Sequence, residues 1–185
     1  MSIIFILLLL LALSIFVIGV YNNLIRTRNE VKNAWSQIDV QLKRRHDLIP
    51  NLVETVKGYM EHERETLEAV IKARQQAVNI SGDAASQGQL EGMLSQTLKS
   101  LFAVSENYPE LKANQSFLKL QEEITTTENK IGFSRQFYND SVMGYNNKIQ
   151  VFPNNLLAGL FNFNIESFFE IEVPAEKNAP QVKFS

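Results

Sequence analysis

Eighteen consecutive residues, IIFILLLLLALSIFVIGV from Ile3 to Val20, carry no charge and a single polar side chain, Ser14. A helix of that length just crosses the hydrocarbon core of a bilayer, with Tyr21 at its exit, and in water nothing would cover it. A cleaved signal peptide would instead need a cationic start, a shorter apolar core and a small-residue cleavage motif, none of which is present. The expected reading is an uncleaved single-pass anchor in the cell membrane, spanning residues 1–21. Arg26, Arg28 and Lys32 follow the apolar run and no basic residue precedes it. That asymmetry predicts an outside N-terminus and a cytoplasmic bulk.

The remaining chain is long enough for one domain. With 18 Lys+Arg against 20 Asp+Glu, it lacks the overall basic character of a nucleic-acid binder. The charge is uneven: residues 21–45 hold six cations and two anions, net +4, against −2 for the whole chain. No cysteine occurs, which removes disulfides, thiolate metal sites, cysteine nucleophiles and lipidated cysteine from consideration.

Beyond the anchor the apolar residues recur at alternating steps of four and three. The first seam runs through Val31, Trp35, Ile38, Leu42, Arg45, Ile49, Leu52, Val56 and Tyr59, with Arg45 its one charged member. Leu67, Val70, Ile71 and Val78 mark a second helix, after which NISGDAASQGQ, with Gly82 and Gly88, reads as a flexible loop. Leu90, Leu94, Thr97, Leu101, Val104 and Tyr108 mark a third, stopped by Pro109. The fourth follows Phe117, Leu120, Ile124, Thr127, Ile131, Ser134, Tyr138, Ser141 and Tyr145, and ends before Pro153. No sustained alternation of period two argues for a sheet. The expected fold is all-α: a transmembrane helix followed by an antiparallel up-and-down four-helix bundle. Residues 22–173 make the bundle, with the apolar stretch Leu156–Phe169 packed on it in the ordinary reading and meeting a partner or the membrane surface in the alternative one, and residues 174–185 read as a disordered tail.

The stretch QLKRRHDLIPNL places three cations beside a proline inside the first seam. Pro50 has no amide hydrogen for the carbonyl of His46, so the helix either kinks there or restarts with Asp47 as its N-cap. Arg45 then either caps the freed carbonyl or pairs with a carboxylate of a neighbouring helix. Arg45, His46, Asp47 and Pro50 are accordingly a candidate bend or protein-interaction site. A straight helix carries Lys43 about 33 Å past Tyr21 at about 1.5 Å per residue, too far for these cations to hold lipid headgroups.

Three blocks, RNEVKNAWSQIDVQLKRRHDLIPNLVETVKGYMEHE (28–63), ENYPELKANQSFLKLQEE (106–123) and RQFYNDSVMGYNNKIQVFP (135–153), resemble the LemA family, in its order and behind its usual membrane anchor. The resemblance implies an anchored four-helix bundle and a role as scaffold or structural membrane protein; it implies no reaction.

His46 and His62 are the only histidines. His62 with Glu61, Glu63 and Glu65 is the one grouping that could serve a metal-dependent or hydrolytic enzyme, but it has neither the two-histidine zinc spacing nor a calcium-loop pattern. No phosphate-binding glycine loop, nucleophile elbow or kinase signature occurs. No cofactor, nucleic acid or small-molecule substrate is therefore expected. The expected partners are lipid, through the N-terminal helix, and other proteins, a second copy of the chain included. Tyr138-Asn139 and Tyr145-Asn146, seven residues apart, share a helix face and read as core tyrosines with hydroxyls bonded across the bundle.

Overall fold

The computed structural model describes residues 2–80 and 82–170; the expected tail at 174–185 lies outside them. Among the described residues there are six helices and no strand: α1 Ser2–Lys57, α2 Arg64–Asn79, α3 Ala84–Ser105, α4 Pro109–Lys112, α5 Gln115–Gln150 and α6 Asn154–Leu160. The helical class is the expected one. The anchor and the first seam, however, are one unbroken 56-residue helix. Asp47 lies inside it, so no restart occurs there. Its apolar stretch is long enough to cross a membrane, and its side chains are not covered by the rest of the chain.

The chain divides into two compact units, residues 1–39 with 133–168, and residues 40–132 with 169–185. In the second unit a single core draws Ile49, Leu52 and Val56 from α1, Leu67, Val70, Ala73 and Ala77 from α2, Leu94, Leu98 and Leu101 from α3, and Phe117 and Ile124 from α5. Trp35 apart, the α1 seam from Val31 to Val56 is buried as its spacing predicts. Beyond it Met60, not Tyr59, turns inward, because the chain leaves helical periodicity after Lys57.

Two expectations for this unit need correcting. Ile71 and Val78 are exposed, since the inner stripe of α2 passes through the small residues Ala73 and Ala77. The loop after α2 is also much shorter than NISGDAASQGQ suggests. Asp83 caps α3 by accepting a 3.0 Å bond from the Ser86 amide, so Ala84 onward is helix. Gly88 is buried within α3, where a Cβ would strike the backbone of Glu170. It is there for close approach rather than for flexibility.

In the first unit α1 and α5 pair in opposite directions. Trp35 meets Tyr138 edge to face at 5.3 Å, and Lys148 donates to Asn23 Oδ1 at 3.1 Å. Trp35 is only partly buried; Ala34 takes the fully covered place beside it. The Tyr138 hydroxyl donates to the carbonyl of Ser167 at 2.9 Å, whereas the buried Tyr145 hydroxyl has no hydrogen-bond partner among the described residues. Burial, and then the Glu166 carboxylate, push the Tyr145 hydroxyl above its ordinary pKa, against the opposing charge of Arg28. Within α5 the seam hydroxyls of Thr127 and Ser141 bond back to the carbonyls of Glu123 and Phe137, which lets them sit along a helix without partners across it.

Candidate functional site

Arg45 is 0% exposed, the largest fully buried side chain among the described residues. A guanidinium cannot shed its charge, so its surroundings must supply compensating acceptors. They come from α3 and α5. One terminal nitrogen is ion-paired to Glu91; the other is ion-paired to Glu128 and donates to Ser95 Oγ at 2.8 Å. The Nε of Arg45 is buried and has no hydrogen-bond partner among the described residues.

Glu91 is itself fully buried and is held from several sides. His46 Nε2 stands 3.1 Å from Oε1, and Gln87 Nε2 donates to the same oxygen at 2.7 Å. Burial alone would push the Glu91 carboxyl up. The bond with His46 and the charge of Arg45 outweigh it and hold the group below its ordinary value of 4.5. A depressed pKa means that the associated stability is complete above about pH 4.5, where the unfolded carboxylate is also ionised, and is lost as pH falls below it. The stability gap between the parent chain and Glu91→Gln should therefore narrow as pH falls below about 4.5. A gap unchanged down to about pH 3, followed by denaturant midpoint, would contradict the assignment.

Pro50 explains a further contact. The His46 carbonyl has no amide four residues on, and Arg74 of α2 takes it, Nε donating at 2.7 Å. Of the two roles offered by the sequence, Arg45 thus has the second. It pairs with carboxylates, while a different arginine satisfies the freed carbonyl. Asp47 and Pro50 are on the exposed side of α1, as are Lys43 and Arg44. Arg44 makes only a loose 3.8 Å surface pair with Glu123. Arg45 and His46 are therefore brought together in the cluster, and Asp47 and Pro50 are not.

Glu91, Arg74, Gln87, Ser95 and Glu128 were not singled out from the sequence. A signal existed: Ala84, Gly88, Glu91, Ser95 and Leu98 step four, three, four, three along α3, which is a seam register with Glu91 on it. The expected register through Leu90, Leu94 and Leu101 runs one position away, and Leu94 and Leu101 are buried as well, so α3 is covered along both lines.

Chemically, the cluster combines a cation, two carboxylates, an imidazole and a hydroxyl, with most donors and acceptors committed to one another. The single Ser95 hydroxyl hydrogen is shared between Glu128 and the Glu91 carbonyl while its oxygen accepts from Arg45, so the hydroxyl is engaged in the ion-pair network. A cleft of about 180 Å³ opens beside Ser95, Phe102 and Glu128. That is below the size that encloses an ordinary small-molecule ligand. Around His62, Glu61 and Glu65 are exposed, and Glu63 accepts from the Tyr108 hydroxyl at 3.1 Å. Among the described residues no three His, Asp or Glu side chains converge as metal ligands do.

The comparisons with known proteins agree with one another. The family model described as LemA family matches residues 34–184. The chain is 33% identical over 174 residues to Protein LemA of Metamycoplasma hominis, covering 91% of this chain and 80% of that protein. It is 24% identical over 180 residues to the magnetosome proteins MamQ 1 and MamQ 2 of Paramagnetospirillum magneticum, covering 84% of this chain and 66% of each of them.

Proposed function

The chain belongs to the LemA family, and on that premise we propose that it is a membrane-anchored, non-catalytic scaffold whose helices present docking surfaces to other proteins. The observation that carries this reading is the uncovered apolar run of α1, whose length and composition suit a bilayer span. Arg26, Arg28 and Lys32 next to that run support an orientation with the helical part on the cytoplasmic side. The up-and-down four-helix bundle belongs to the same proposal. It is supported by the core that α1, α2, α3 and α5 share in residues 40–132. The Arg45 cluster fits a structural part in it, since its groups tie α1 to α3 and α5 and hold one another in place.

Docking needs an exposed surface, and Phe133 and Phe137 provide one. They lie one turn apart on α5 and are both open to solvent. Two relatives are named for the magnetosome, a structure rather than a reaction. A photoreactive benzophenone side chain at Phe137, activated in intact membranes, should give one discrete protein adduct. Phe133→Glu should abolish it without changing thermal stability. No discrete adduct, or an adduct indifferent to Phe133→Glu, would remove this face from the proposal.

A further inference from the structure

The polar end of the anchor is marked by Tyr21, the residue next to Val20, where aromatic rings settle at a bilayer interface. The C-terminal part of the first unit returns to that level. Lys148 near the end of α5 bonds Asn23, and the rings of Phe161 and Phe163 stand edge-on to Tyr21 at 4.9 and 5.9 Å. Between Lys148 and Phe161 lie α6 and the turn before it, and their outward side is strongly apolar: Phe152 is 78% exposed, Leu156 64% and Leu160 71%. Leu156 and Leu160 share a face of α6, one turn apart, while Ala158 on the other side is buried.

The fold does not leave this segment loose. The Phe163 amide bonds the Ala158 carbonyl at 2.9 Å, and the Asn154 side chain bonds the Lys148 carbonyl at 3.1 Å. Arg28 stacks its guanidinium 5.2 Å from the Phe163 ring centroid, and Arg26 is exposed one turn past Asn23. The arrangement is a fixed apolar edge beside the exit of the anchor, with cations at headgroup depth.

We propose that residues 151–161 are a second membrane contact, a wedge in which Phe152, Leu156 and Leu160 enter the boundary between headgroups and acyl chains beside the anchor. The occupant is lipid rather than protein because the segment is packed on Tyr21 and so is continuous with the surface the bilayer already covers. The first unit is thereby held at two points and cannot swivel freely about its anchor. This inference rests on the reading of residues 3–20 as membrane-spanning.

The absence of cysteine makes the test direct. Single-cysteine variants of the full chain, Phe152→Cys, Leu156→Cys and Leu160→Cys, are labelled with an environment-sensitive fluorophore. They are reconstituted in phosphatidylcholine vesicles containing some phosphatidylglycerol and nitroxide-bearing lipid. Ile15→Cys reports the anchor, and Asp140→Cys, on an exposed position of α5, reports water. All three wedge probes should be quenched by shallow nitroxide lipid several-fold more than the Asp140 probe, with unchanged circular dichroism. If the Ile15 probe is quenched and the wedge probes behave like the Asp140 probe, the wedge is refuted while the anchor stands. If the Ile15 probe is not quenched, both readings fall. Wedge probes shielded from lipid nitroxide and from aqueous iodide alike would mean that protein covers the edge, which also overturns the proposal.

Discussion

Replacing Arg45 with alanine should destabilise the folded chain by roughly 3 to 5 kcal/mol, the usual cost of leaving one member of a buried ion pair alone. The partner left behind is Glu91, fully buried and held ionised by the charge that the substitution removes. Glu128 is partly exposed and can be rehydrated, so most of the loss should trace to Glu91. The double change Arg45→Met with Glu91→Leu should recover much of it, because an apolar pair of similar volume removes the uncompensated charge. Lys43→Ala and Arg44→Ala, both on the exposed side of α1, should stay within about 0.5 kcal/mol of the parent. Denaturant unfolding followed by circular dichroism gives the ranking. An Arg45→Ala variant as stable as Arg44→Ala would show that the cluster does not hold the helices together.

Phe117→Ala is expected to cost a similar amount, roughly 3 to 5 kcal/mol, through a cavity rather than a charge. Phe117 is 1% exposed in the first turn of α5, edge-on to Phe102 with ring centroids 6.4 Å apart. Its amide is capped by the Asn114 side chain at 3.1 Å, which fixes where α5 begins and therefore where the ring points. A helix start pinned by a cap has little freedom to collapse into the space left by the ring. Phe133→Ala, on the exposed face of the same helix, is the matched control and should be close to neutral. Equal effects from the two phenylalanines would mean that the α5 register is wrong.

Much of this fold could be read from periodicity, and the failures have a common cause. The α1 and α5 seams are legible because most of their inner positions are large and apolar, from Val31 to Val56 and from Phe117 to Tyr145, with Arg45 and Thr127 the buried polar exceptions. On α2 and α3 the large core residues Leu67, Val70, Leu94, Leu98 and Leu101 share the inner face with small or polar ones: Ala73, Ala77, Ala84, Gly88 and Glu91. Large residues such as Ile71 and Val78 remain outside, so a register drawn through the bulkiest side chains finds only part of the interface. Gly88 was read as a breaker because glycine costs helix stability; here it admits another stretch of backbone.

The candidate site was half legible for a related reason. A lone arginine on an apolar seam demands a buried anion, and the proline after it demands a donor for the His46 carbonyl. Both demands are local and can be read from Arg45 and Pro50. The residues that meet them, Glu91, Glu128 and Arg74, lie 46, 83 and 28 positions away and are brought in by packing. The C-terminal apolar stretch has no regular period, so its buried and exposed members cannot be told apart by spacing. Phe163 and Phe169 are buried, while Leu156, Leu160 and Ile165 stay exposed.

The membrane tether at the centre of this account is tested most directly by fractionation. The full chain and a version lacking residues 3–20 are expressed side by side, and the membranes are washed with alkaline carbonate. The full chain should remain in the pellet. The shortened chain should leave with the wash, including any that α6 holds at the surface, and should keep its helical circular dichroism and its sensitivity to Arg45→Ala. A full chain released by carbonate, or a shortened chain that stays embedded, would contradict the assignment of the apolar run of α1 as the anchor.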